Sequence, residues 1–247
     1  MKLNIIALNI TAGLVAGCQL CAFAEAAPEP PPPPKWETAA TLGFSLTSGN
    51  SDTLLLTAII KTQKKGPVDE WGFGADGAYG ETDSTVNNNN IHGYGQYNRL
   101  FGQRWYAYAR ADALYDAIAD VNYRITISPG AGYYLIKEKD TSLAAELGPG
   151  LVTQNLGGDE STYATLRVAG RFEHKFSEHA RMWAKAEYLP QFSDFGNYLL
   201  NGEIGLGATL TKKLELTVIL QDNYASEPAA DKKNNDLKLI TGITYKF

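Results

Sequence analysis

From Trp36 to Phe247 apolar and polar side chains alternate in about twelve segments of roughly ten to fourteen residues, the period-two signature of strands with two unlike faces. The segments have cores at 36–47, 53–63, 70–81, 90–101, 104–116, 123–136, 141–154, 162–176, 180–192, 198–210, 214–224 and 236–247. Clusters of Gly, Asn, Asp, Ser, Lys and Pro separate them, and no stretch carries the period of an amphipathic helix. Charge respects the parity. Arg104, Arg110, Asp112 and Asp116 share one parity opposite Trp105, Tyr115 and a run of alanines. Arg124, Thr126 and Ser128 oppose Tyr123, Ile125, Ile127 and Tyr133, and Glu146 opposes Leu143, Leu147 and Leu151. Arg167, Arg171 and Glu173 oppose Leu166, Val168 and Phe172. Arg181, Lys185 and Glu187 oppose Met182, Ala184 and Tyr188, and Glu203 opposes Leu200, Ile204 and Leu206.

Hydrocarbon rejects charge, so this pattern predicts an all-β, antiparallel, up-and-down transmembrane barrel with its charged parity in the lumen. The expected lumen network is Arg110, Asp112, Arg124, Glu146, Arg167, Arg171, Glu173, Arg181, Lys185, Glu187 and Glu203, with Asp76 and Asp116 also on the lining. Arg99 breaks the parity and is placed at a membrane edge, where arginine can snorkel. Trp71, Tyr79, Trp105, Tyr115, Tyr123, Tyr133, Tyr188, Tyr198, Tyr224 and Tyr245 punctuate the apolar parity near segment ends, as two interfacial girdles would. A soluble barrel alternates identically with its faces exchanged, so alternation alone does not separate the two.

The ends of the chain and the loop lengths break that tie. Residues 1–24 read as a signal peptide, with Lys2, an apolar stretch and the small-x-small site Ala22-Phe23-Ala24. Val15-Ala16-Gly17-Cys18 is a rival lipoprotein-type cut that would leave Cys18 acylated. The plain cut removes Cys18 and Cys21 together, leaving a thiol-free chain that suits an oxidising compartment. Residues 25–35 are a proline-rich linker in the polyproline II regime, between the export signal and a barrel at 36–247. An even strand count returns both chain ends to one side. Connections after odd segments, such as 82–89, 156–161 and 225–235, read longer than those after even segments, such as 102–103, 137–140, 177–179 and 211–213. Short turns face the periplasm in such barrels, which puts both ends there. The last alternating segment ends on Tyr245 and Phe247, which read as an assembly signal for barrel-assembly machinery.

Composition narrows the function. Twenty-two basic and 27 acidic residues give a net charge of −5 and no clustered basic face, which excludes a nucleic-acid partner. The mean hydropathy of −0.24, with no apolar run of about 18 residues beyond the N-terminal segment, excludes a helical membrane protein. The expected partner is outer-membrane lipid, with a small solute as the alternative. No cofactor is expected, because the three histidines His92, His174 and His179 lack metal-ligand spacing. None stands at motif spacing from a serine, so the reading is of no enzyme, with a rim lipid hydrolase as a distant alternative. Balanced lumen charge points to cross-strand ion pairs in a narrow or closed bore rather than to an ion-selective channel. Pro129 and Pro149, flanked by Gly130, Gly132, Gly148 and Gly150, predict paired bulges that bend the wall.

Trp36, Gly43, Ser48-Gly49-Asn50-Ser51, Pro129-Gly130-Ala131-Gly132-Tyr133 and Leu143 with Glu146-Leu147-Gly148-Pro149-Gly150, followed by the alternating C-terminus, form a further pattern. It resembles the domain-of-unknown-function 481 family, typified by a salt-induced outer-membrane protein. The resemblance implies an outer-membrane barrel tied to salt or osmotic stress, without an assigned activity, and it carries over no catalytic residue.

Overall fold

The computed structural model describes residues 33–47 and 53–247. The signal peptide, most of the linker and the Ser48-Gly49-Asn50-Ser51 turn of the sequence reading lie outside the described residues. Twelve antiparallel strands follow one another around a closed barrel. They are β1 (Trp36–Thr47), β2 (Thr53–Lys65), β3 (Asp69–Thr82), β4 (Thr85–Phe101), β5 (Trp105–Asp116), β6 (Val121–Lys137), β7 (Thr141–Leu156), β8 (Asp159–Lys175), β9 (Ala180–Pro190), β10 (Tyr198–Thr209), β11 (Leu214–Ala225) and β12 (Asn235–Lys246). Each pairs with its sequence neighbours, and β12 returns to β1. That seam is short, with five paired positions from Ala39↔Lys246 to Gly43↔Gly242.

Two of the connections read as long are tight hairpins. Asp83 and Ser84, both at positive φ, join β3 to β4, so the asparagine run at 87–90 is strand rather than loop. Gly157 and Gly158, also at positive φ, join β7 to β8. Two residues with φ above zero match the right-handed twist of paired strands, which is why such short turns suffice. The length asymmetry rests instead on 191–197 and 226–234, against three or four residues in every connection after an even strand. The former side is the loop end of the barrel below; the latter, with both β1 Trp36 and β12 Lys246, is the turn end. The fifth segment, read from 104, begins one residue later, so Arg104 sits exposed in the β4–β5 turn and is not part of the strand's charged face.

Leu42, Phe44, Ile91, Trp105, Ile127, Leu147, Leu206 and Leu237 are each more than half exposed on the outer surface. Glu146, Arg167 and Glu215 are buried on the inner one. A soluble barrel of this size would drive its apolar side chains inward; here about 25 cal/mol per Å² of apolar burial is forgone along the whole exterior. Only a hydrocarbon surround makes that arrangement favourable. Arg99 lies at the turn end, its Nη1 2.9 Å from Asp69 Oδ1, so the one outward arginine of the pattern is paired at an edge. Outward rings gather at both rims, with Trp71 against Tyr97 and Trp105 against Tyr133 at the turn end. Tyr188, Tyr198 and Tyr224 stand together at the loop end.

The two prolines do not make bulges. Pairing of β6 with β7 lapses between Ile127↔Leu151 and Ala131↔Leu147, yet the register is the same on both sides of the gap. Proline removes a ladder donor without adding a residue, so the ladder opens and then resumes. The bulges of this pair lie at Val121/Tyr123 and Tyr134/Ile136.

Candidate functional site

The lumen is organised around carboxylates, each holding several donors. Glu146 on β7 is 3% exposed. Its Oε2 accepts from Arg167 Nη1 at 2.8 Å, and its Oε1 accepts from Tyr106 Oη and Gln96 Nε2 at 2.8 Å each. Arg171 Nη2 reaches the same Oε1 at 2.9 Å. Arg167 also donates through Nε to Glu187 Oε2 at 2.8 Å, and Arg110 Nε stands 3.9 Å from that oxygen. Arg110 grips Asp112 by two nitrogens, and His92 lies between Asp112 and Asp76, at 3.3 and 3.0 Å. One connected web thus runs from β3 to β9.

A second web centres on Glu203 of β10, which takes Lys61 at 3.2 Å, Lys185 at 3.3 Å and the indole Nε1–H of Trp183 at 2.6 Å. Nearer the turn end, the fully buried Glu215 accepts from Arg181 and Lys246 at 2.6 Å each. Glu173 meets Lys65 at 3.4 Å with both side chains about half exposed. Arg124 donates to Gln154 at 2.7 Å, without a carboxylate partner among the described residues.

Several of these pairs cannot be made along the wall. Strands β2 and β8 are six places apart in either direction around the ring of twelve, so Lys65 and Glu173 come from opposite walls. Lys61 with Glu203, and Arg110 with Glu187, join strands four places apart. Adjacent strands are spaced about 4.8 Å, so these side chains reach through the bore. Aromatic rings fill the space between. A Cβ at Gly132 would lie 2.1 Å from the Tyr106 ring, and one at Gly205 the same distance from Trp183. The missing side chains on the neighbouring strands are what let these rings lie flat on the wall. The guanidinium of Arg181 then sits 4.5 Å over Trp183 and that of Arg110 4.5 Å over Tyr94, each pairing adding about 0.5–2 kcal/mol by cation–π attraction.

Sequence reasoning passed over Lys61, Glu70, Tyr106, Trp183, Glu215 and Lys246, although each has the inward parity of its strand. The signal was present: Trp183 lies between Arg181 and Lys185 on their own parity. Toward the loop end the webs leave a cavity of about 240 Å³, reached by Arg124, Lys238 and Asp236 and covered by the 226–234 connection. Ala229 of that connection is 7% exposed, so the segment folds into the mouth rather than standing clear of it.

The histidines are committed elsewhere. Both ring nitrogens of His92 face carboxylates. His174 bonds Thr141 at 2.8 Å on the outward face between Phe172 and Phe176, and no carboxylate among the described residues orients it. His179 is a turn residue whose amide donates to Ser177. Among the described residues, no group of three or more His, Cys, Asp or Glu is arranged to hold a metal ion.

A closed barrel with charge inside and hydrocarbon-compatible side chains outside is a membrane-spanning β-barrel by construction. The chain belongs to the DUF481 family of proteins of unknown function, whose family model matches residues 40–247. No curated protein matches the sequence. Among solved structures the barrel is similar in fold to the NanC porin, with a TM-score of 0.54 and 10% identity over 85% of this chain and 100% of that one. The KdgM porin in complex with disordered oligogalacturonate aligns at a TM-score of 0.48 and 10% identity, over 85% of this chain and 99% of that one.

Proposed function

We propose that the protein is a non-enzymatic barrel of the outer membrane whose bore is held shut at mid-depth by the Glu146 and Glu203 webs, serving the envelope under salt or osmotic stress rather than as an open porin. The pairs that join non-adjacent strands carry this reading, because a wide water-filled lumen would leave those side chains lying along their own walls. Export by the N-terminal segment and periplasmic turns would put both chain ends in the periplasm. The test is single-channel recording of the refolded barrel beside a variant with both Arg167→Ala and Arg171→Ala. The wild type should show no sustained open level, and the variant should conduct and unfold at lower denaturant. A wild type that stays open overturns the closed-bore reading.

The cavity of about 240 Å³ at the loop end favours a second reading, a narrow passive pore for small solutes. On that reading the double variant keeps its stability and shifts toward cation selectivity, since two lining cations are lost.

Tyr245 and Phe247 are proposed to act in assembly. Their rings meet edge to face at 4.9 Å, and Phe247 is 74% exposed, contributing its amide to Thr38 O but little packing. Deleting Phe247 should therefore lower the yield of assembled barrel in cells while leaving the refolded barrel's unfolding midpoint nearly unchanged. Normal yield in cells would show that the terminal ring is incidental.

A further inference from the structure

Among the described residues, one carboxylate set in from the strand ends stands on the wrong face. Asp222 of β11 pairs with Gly202 and with the 63%-exposed Leu237, so it has the outward parity of the lipid-facing side chains. Its Oδ1 is buried and has no hydrogen-bond partner among the described residues. An acid on the lipid face of a barrel is costly and is retained where something answers it.

What adjoins it is a groove. In one transverse row the register aligns Asp222 with Gly202, Ala186, Gly170 and Ala145 on successive strands β11 to β7. Four of these five carry a methyl group or less. The rows on either side are bulky, with Tyr224, Leu200, Tyr188 and Val168 toward the loop end. Toward the turn end Leu220, Ile204, Phe172 and Leu143 form a rim broken by Ala184. Between the small-residue row and that rim lies a groove of about 510 Å³. The barrel does not need these glycines for its own packing: a Cβ at Gly202 or Gly170 would meet no atom nearer than 3.9 or 4.0 Å. Glycine inside a strand weakens it and marks a place where another body approaches closely.

The shape of the groove identifies that body. Asp222 is three residues from the loop-end limit of β11, one outward position below the Tyr224 girdle, whereas Ala145 is four residues from the turn-end limit of β7. The row therefore descends obliquely through the membrane over four strand spacings, about 19 Å. One leaflet of hydrocarbon is about 15 Å deep, so an acyl chain inclined along the row fills it while its head remains at the girdle beside Asp222. A second barrel seated symmetrically on the groove would bring a second Asp222 into the same dry patch and supply no donor. We propose that this groove is a specific lipid site, taking the acyl chain of a membrane lipid whose ammonium head is held by Asp222.

The inference depends on the membrane-spanning reading and not on the state of the bore, and the test keeps the two apart. The full-length mature barrel is refolded into nanodiscs of equal phosphatidylethanolamine and phosphatidylcholine, insertion is scored by heat-modifiable migration, and retained lipid is counted by native mass spectrometry. Phosphatidylcholine has equivalent chains but no head-group donor. The wild type should retain one lipid per barrel, with at least fivefold preference for phosphatidylethanolamine. Gly202→Leu, whose Cβ would meet no barrel atom nearer than 3.9 Å and whose side chain projects into the groove, should abolish retention. Asp222→Leu should keep a lipid and lose the preference. Insertion with equal retention of both lipids, retention unchanged in Gly202→Leu, or recovery of paired barrels overturns the lipid site alone. A barrel that does not insert overturns the membrane reading together with it.

Discussion

Glu146→Ala should be the most destabilising single change in the lumen, lowering unfolding free energy by about 3–5 kcal/mol, the cost of leaving buried cations without their counter-charge. Arg171 loses its carboxylate and Arg167 keeps only Glu187, while the side chains of Glu146 and Arg167 are 1% and 4% exposed. Tyr106 and Gln96 lose their acceptor in the same step. Glu173→Ala provides the contrast. Its one ion-pair partner among the described residues, Lys65, is 54% exposed, and water takes over the solvation of whichever charge remains. Its removal should cost less than about 1 kcal/mol, as for surface pairs. Urea titrations of both variants in detergent, followed by tryptophan fluorescence, measure the difference; equal costs would show that the Glu146 web is as wet as the pair at the mouth.

The second large effect is expected at Gly148. A Cβ there would stand 2.1 Å from the carbonyl oxygen of Pro129 and 2.7 Å from the Gly130 Cα, which are backbone atoms that no rotamer change can move aside. Gly148→Ala should therefore prevent β6 and β7 from closing on each other across the ladder gap, and folded barrel should be nearly absent on unheated gels. Gly72→Ala is the matched control. Nothing lies within 4 Å of its Cβ, so that barrel should fold with wild-type yield. A normal yield for Gly148→Ala would mean that the wall at the two prolines is looser than the geometry states.

The parity of charge made the strand count and the closed barrel legible in the sequence, because a strand facing two different solvents must encode both in alternate residues. Boundaries were less legible where turn chemistry is ambiguous. An asparagine run reads as loop by composition, yet Asp83 and Ser84 complete the hairpin alone and the asparagines continue the ladder. The prolines misled for a related reason: Pro129 and Pro149 face one another across the pair, so their missing donors coincide in one gap and neither strand needs an extra residue. Parity assigns a residue to the bore but not to a partner. That Arg110 would reach Glu187, or Lys65 reach Glu173, depends on the diameter of the ring and the stagger of its strands, which emerge only on closure. Trp183 and Glu215 carry the inward parity of their strands, but only closure brings Arg181 over the one and against the other.

The five-position seam between β1 and β12 sets an order of events. Thr41 and Thr244, bonded at 2.7 Å in that seam, are 203 residues apart in the chain. Every other neighbouring pair can form as a local hairpin, but the ring is completed only by bringing these distant ends together, which costs about 5 kcal/mol of chain entropy if nothing between them is yet ordered. Forming the eleven hairpins first removes most of that cost, so the growing sheet is a template that carries its two free edges toward each other. Until the last strand docks, both edges expose unsatisfied peptide groups that hydrocarbon cannot solvate. Birth of the barrel and its entry into the bilayer are thereby one event: a chain cut anywhere short of β12 can build most of the sheet and still have no stable place in the membrane.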